Sequence, residues 1–355
     1  MSPLLWPLVA LGLILLFNFI FTAGFFQVRL QDGHLYGSVV DILTRSSPVM
    51  LLSLGMTLVI ATGGVDLSVG AITAIAGAIA AVSLQSSGLT GSGGVALPLA
   101  IALPLLASIA CGLWNGFLVA FLGVQPIVAT LVLMVAGRGI AQLITHGQII
   151  SISNSAYHFI GGGYFLGFPF SVTLVIGVLA VVIGFSRKTA MGLFIEAVGN
   201  NPVASRYAGV NTVGVKLLVY AVSGLCAGLA GLVISSDISA ADVNNSGLYL
   251  ELDAILAVVI GGTVLSGGRF QLMGSIIGAL IIQALATTIN TRGVPVQLTL
   301  VIKAMVVLAV CLLQSPSFRA RFRQSTKPRL PRITGAEGVT LKAQSDSGPS
   351  GSGGL

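Results

Sequence analysis

RKTAMGLFIEAVGNNPVASRYAGVNTVG, residues 187–214, is a polar stretch in a chain that otherwise avoids charge. Long apolar runs flank it on both sides, at 170–186 and 215–234. The whole chain is 55% hydrophobic and 8% charged over 355 residues, with a mean hydropathy of +1.01. A soluble domain carries about 25% charged residues, and a core able to enclose this much apolar side chain would need a far longer chain. The composition is that of an all-α, polytopic membrane protein. A structured polar element between two spans of such a protein is a surface offered to something in water.

A helix crosses a bilayer with about 20 apolar residues. Candidate spans fall at 4–26, 47–62, 69–84, 95–121, 126–144, 170–186, 215–234, 252–266, 272–290 and 296–314, which makes about ten. Three are short: 47–62, 69–84 and 252–266 are expected to be half-helices or re-entrant elements enclosed by protein. The run from Leu4 to Phe26 has no basic residue before it and is longer than a leader core, so it is expected to be retained as the first span.

Basic residues set the orientation. With the N-terminus inside, eleven of the 17 Lys and Arg fall in inside loops or the tail and three (Arg29, Arg45, Arg292) in outside loops, the rest lying within or at the ends of spans. That asymmetry places both termini, and the 187–214 loop, in the cytoplasm. Residues 1–314 form the membrane domain; residues 315–355, basic and then Ser/Gly-rich, are expected to be a disordered cytoplasmic tail near an anionic leaflet.

Many of the 46 glycines lie inside apolar runs. Gly112/Gly116, Gly224/Gly228 and Gly274/Gly278 are each spaced by four, which puts both on one helix face where backbones can approach closely. Chance in a glycine-rich chain is the alternative. Cys111, Cys226 and Cys311 sit in apolar segments, as buried small residues do. His34, His146 and His158 are scattered in the expected outside loops, so no metal centre is expected. There is no GxxxxGK[ST] phosphate loop, so this chain is not expected to bind ATP itself.

Within 187–214, Asn201 and Pro202 are a capping residue and a first-turn proline, and Gly209 is a stop. They predict a short helix over 202–208 carrying Arg206 and Tyr207. A helix of that length is marginal alone, so it either docks on a partner or packs on the protein's own membrane face. In GGVDLSVG (63–70), Asp66 either serves an intramembrane function or caps a helix starting near Leu67 at the interface. Asn115, Gln125 and Thr130 either line an aqueous path or bond between helices. Arg138, at mid-span by count, needs a cavity, a carboxylate or backbone carbonyls; Glu251 and Asp253 are candidate partners. Two residues apart, Glu251 and Asp253 do not share a helix face, so they point to capping or a polar path rather than an acid/base pair.

Four ordered motifs resemble one family: GGVDLSVG (63–70), QPIVATL with GRG (125–139), AVGNNPVASRYAGV (197–210) and ELDAILAVVIGGTVLSGG (251–268). They are similar to the permease subunits of bacterial ABC sugar importers of the ribose/galactose type, over roughly residues 40–314. LQDGHLYGSVVDILTR, GLFIEAVG and Gly268-Arg269-Phe270 most resemble the galactofuranose branch.

The resemblance implies a permease with no covalent chemistry and no cofactor of its own, in the inner membrane. It implies a second permease subunit, identical or different, a cytoplasmic ABC ATPase that binds ATP and Mg, and a periplasmic sugar-binding protein. No nucleic-acid partner is expected. Residues 197–210 match the family's coupling element, which would make Glu196, Gly199, Asn200, Asn201, Pro202, Arg206 and Gly209 the residues that meet the ATPase. Ribose, galactose or another sugar remain alternatives, as does an ion-coupled secondary transporter relying on Asp66.

Overall fold

The computed structural model describes residues 4–22, 24–31, 34–86, 96–295, 298, 300–305, 308 and 312. Twelve α-helices are bounded among them: α1 (Leu5–Phe21), α2 (Ser38–Ala61), α3 (Val69–Ser86), α4 (Ala96–Ala120), α5 (Pro126–Ile144), α6 (Ser155–Gly162), α7 (Phe170–Lys188), α8 (Met191–Asn200), α9 (Pro202–Tyr207), α10 (Thr212–Asp237), α11 (Leu250–Ile260) and α12 (Leu272–Thr291). Six are long and apolar enough to cross a membrane: α2, α4, α5, α7, α10 and α12. Two shorter apolar helices, α1 and α3, join them. The 315–355 segment and most of the expected 296–314 span, including Cys311, lie outside the described residues.

α2 and α10 run through the centre, buried along most of their length, with α3 enclosed between them and the rest. The four-spaced glycines explain the close packing. A Cβ at Gly112 or Gly224 would strike backbone of the opposite helix, Tyr220 O and Ser108 O respectively, so α4 and α10 meet glycine against glycine. Gly116 and Gly228 line the same seam. Gly274 and Gly278 give α12 the same approach to α11, over the Gly261 and Ala257 carbonyls. Without water, helix association rests on such packing and on interhelical hydrogen bonds. Asn18 of α1 supplies one of these, donating to Thr288 Oγ1 of α12 at 2.6 Å.

The structure corrects the short-span expectation for 47–62. α2 starts at Ser38 and has 24 residues. Its first turns are polar, and the Asp41–Arg45 ion pair (2.9 Å) holds both charges on one exposed face. Thr44 and Ser47 return their hydroxyls to the carbonyls of Val40 and Leu43. α11, at 11 residues, is about 16 Å long and is a half-helix, as expected for that segment.

The two ends of the bundle differ. One carries α6 and three two-stranded ladders: β1 (Arg29–Gln31) with β2 (His34–Tyr36), β3 (Ile150–Ser151) with β6 (Ala240–Ala241), and β4 (Tyr164–Phe165) with β5 (Phe168–Pro169). The other carries α8, α9 and the 261–271 turn. The loops assigned to the outside and the inside by charge therefore gather at opposite ends.

Candidate functional site

At the basic end, α8 and α9 form an elbow between α7 and α10. Asn201 caps α9, its Oδ1 accepting from Ala204 N at 2.9 Å, with Pro202 in the first turn. Gly209 closes it at φ +85°, a conformation that costs a β-carbon. Asn211 then caps α10 through Gly214 N (2.9 Å). Within the elbow, the element the sequence reading missed is α8, which seats Gly192, Ile195 and Val198 against the bundle. Their spacing of three was readable as one face of a helix.

α9 turns only Ser205 inward; Val203 is 63% and Tyr207 90% exposed, and Arg206 is exposed beside them. Packing on the chain's own membrane face therefore accounts for one residue in six. The elbow is fastened behind instead. A Cβ on Gly199 would strike the Ala61 carbonyl oxygen at the end of α2 and the Gly268 amide. Gly268 N donates to Ala61 O at 2.9 Å. Asn200 lies over Gly268 and bonds the Glu196 carbonyl (3.0 Å). Glu196 lines a cleft of about 460 Å³ with Arg187 and Arg269.

Asp66 is wholly buried within the protein. Its Oδ1 accepts from Ser68 N (3.1 Å) and Ser68 Oγ (2.6 Å), the capping-type contact expected of it, while Oδ2 accepts from Ser223 Oγ of α10 (2.8 Å). Asn115 of α4 donates to Ser68 Oγ at 2.8 Å, and Thr130 of α5 donates to the Val65 carbonyl at 3.2 Å. Asp66, Asn115 and Thr130 thus meet in one knot joining α3, α4, α5 and α10. Ser68 and Ser223 were missed. Ser68 is two residues from Asp66, whereas nothing in the sequence ties Ser223 to it.

The other candidates stand apart. Gln125, exposed at the N-cap of α5, makes no capping bond. Arg138 donates to the Ser246 carbonyl (3.0 Å), a backbone partner rather than either carboxylate. Gln142, one turn on, bonds Asn244 Oδ1 (3.0 Å), so α5 grips the 242–249 loop. Asp253 instead pairs with Lys303 Nζ at 2.6 Å. Glu251, 2% exposed in the first turn of α11, faces Gly70.

Long apolar helices, a glycine-packed interior and an exposed helical elbow define a polytopic helical membrane protein. The chain belongs to the family of the permease component of the branched-chain amino acid transport system, whose model matches residues 38–311. It is 52% identical over 318 residues to the galactofuranose transporter permease protein of Escherichia coli K12, covering 88% of this chain and 91% of that one. It is 41% identical over 321 residues to the fructose import permease protein of Bifidobacterium longum (89% and 88% covered). It is 38% identical over 281 residues to a ribose import permease protein of Haemophilus influenzae (78% and 84%). It is a multi-pass protein of the inner membrane.

Proposed function

We propose that this chain is the membrane-spanning permease of an ATP-driven ABC importer that moves a monosaccharide into the cytoplasm, galactofuranose first among sugars. The sugar-import names of its relatives, led by 52% identity to a galactofuranose permease, support that substrate class. Ribose and fructose are the competing sugars.

In this reading the chain makes ten passages with both ends inside, α11 being the half-length one. Residues 315–355 form a basic cytoplasmic tail. A second permease completes the pathway, a periplasmic binding protein delivers the sugar, and a cytoplasmic ATPase holds the ATP and Mg. Alternating access follows from nucleotide-dependent bias between two conformations.

The single observation that carries the coupling role is α9: a six-residue helix whose Val203, Arg206 and Tyr207 are exposed. Glu196, Gly199, Asn200, Asn201, Pro202, Arg206 and Gly209 are its contact and shaping residues, Arg206 foremost. Arg206→Glu is expected to abolish uptake and copurification of the ATPase while the protein still inserts. Normal copurification and uptake would remove the coupling role. The ion-coupled alternative gains nothing from Asp66, whose carboxylate is occupied by serine donors on both oxygens.

A further inference from the structure

The chain enters α7 through a tight hairpin at the end opposite the elbow. β4 and β5 pair antiparallel, Phe165 opposite Phe168, and Pro169 passes directly into α7 at Phe170. Leu166 and Gly167 form the two-residue loop, both at positive φ, +52° and +81°. Two such residues mark the hairpin turn whose twist matches its strands, and that turn favours Asn, Asp or Gly at its first place. A left-handed backbone crowds a β-carbon, and a bulky residue there is an outlier. Leucine holds the place nonetheless, and it is 89% exposed. The side chain therefore gains almost nothing from packing on its own chain to offset the strain.

The hairpin has two unlike faces, as alternation along a strand allows. Phe165 and Phe168, partners across the ladder, are each half exposed and flank Leu166 in an apolar tip. Pro169 is buried. Tyr164 rests beside Tyr36, ring centres 5.9 Å apart, at a cleft that also holds Asp41 and His158. The polar groups thus lie behind the hairpin and the apolar ones in front. From Phe159 to Ser186 the sequence holds no charged residue.

The length of α7 fixes the height of the tip. Its 19 residues extend about 28 Å, against a hydrocarbon core about 30 Å thick. Arg187 and Lys188 close the elbow end and reach the headgroups there. Phe170 then stands at the opposite edge of the hydrocarbon, and the hairpin occupies the interfacial layer in which aromatic side chains form belts. Water at that level satisfies the backbone groups that the two short strands leave unpaired, which deeper immersion would not. A protein partner's docking surface carries roughly one hydrogen bond per 100–200 Å², and the side chains of Phe165, Leu166 and Phe168 offer none.

We propose that the 164–169 hairpin is a membrane anchor: its Phe165–Leu166–Phe168 tip inserts among the phospholipid acyl chains of the leaflet opposite the elbow. The anchor holds one end of α7 at a fixed depth while the other end carries α8 and α9. It goes beyond the import reading and holds for any solute.

The test uses the full-length chain with Cys111, Cys226 and Cys311 replaced by alanine, in vesicles of phosphatidylethanolamine and phosphatidylglycerol. A bimane fluorophore is attached to Leu166→Cys and, as a control from the same end, to Gln148→Cys, whose side chain is exposed. Phospholipids brominated on the acyl chain are expected to quench the label at 166 and spare that at 148, and aqueous iodide to do the reverse. Iodide quenching as strong at 166 as at 148 puts the tip in water and overturns the proposal. A label at 166 shielded from both quenchers means that protein covers the tip, a second copy of the chain, and overturns it too. Shielding that appears only when a periplasmic binding protein is added makes the tip a docking surface for that protein and overturns it likewise. Leu166→Asn keeps a residue that tolerates the turn and removes the apolar side chain. In that variant a label on Phe165→Cys is expected to lose bromolipid quenching and gain iodide quenching. Unchanged quenching there overturns the part assigned to Leu166.

Discussion

Replacing Asp66 by alanine removes the acceptor that Ser68 and Ser223 share. The bonds lost are Ser68 N–H at 3.1 Å, Ser68 Oγ at 2.6 Å and Ser223 Oγ at 2.8 Å. The Ser223 hydroxyl can swing to a carbonyl one turn back, as Ser108 and Thr73 do, so its loss is mainly that of an interhelical bond, on the order of 0.6–1.7 kcal/mol in a membrane. The Ser68 amide has no such escape, and a buried unsatisfied donor costs about 1–3 kcal/mol. Removing the buried carboxylate offsets part of this by ending its desolvation. The net expectation is a loss of about 2 kcal/mol for Asp66→Ala, a fall of several degrees in the unfolding midpoint. Asp66→Asn keeps the shape and one acceptor oxygen and should cost less than about 1 kcal/mol. Thermal unfolding of the detergent-purified protein, followed by tryptophan fluorescence, measures both; Trp114 adjoins Asn115 in the same helix. An Asp66→Ala midpoint at or above the wild-type value would refute the acceptor argument. Equal losses in the two variants would show that the charge, not the acceptor geometry, stabilises the knot.

Gly224→Leu should prevent α4 and α10 from closing, since even a Cβ would strike the Ser108 carbonyl; loss of folded protein in size-exclusion chromatography is the expected readout, with Gly177→Leu, which faces open space, unaffected. Asn201→Ala should remove the α9 cap at a cost of about 1 kcal/mol and speed amide exchange in residues 202–207 without disturbing α10. Gly199→Val should displace the elbow from Ala61 and Gly268 and reduce uptake while leaving membrane insertion intact, measured as transport per inserted molecule.

The α9 helix was legible because its ends are local chemistry: Asn201, Pro202 and Gly209 act through their own backbone. The glycine pairs were legible because spacing by four is a property of any helix face. The true start of α2 was not, because Asp41, Thr44, Arg45, Ser46 and Ser47 break the apolar run, and their return bonds and the outward ion pair accommodate those polar groups within the helix. The partners of Asp66 and Asp253 were illegible for a different reason. Ser223 and Lys303 lie 157 and 50 residues away, and their pairing depends on how helices pack, which no local pattern encodes. Arg138 was placed correctly as needing a partner, yet its partner is a carbonyl, and every residue has one of those.

The junction of Gly199, Ala61 and Gly268 is backbone against backbone. Apart from Asn200, which lies over Gly268, no side chain there can be exchanged to compensate for a change on the facing segment. A chimera that grafts the elbow of another permease onto this chain must therefore bring its own 261–271 turn and the last turn of α2 with it. The three segments, far apart in sequence, constitute a single transplantable unit.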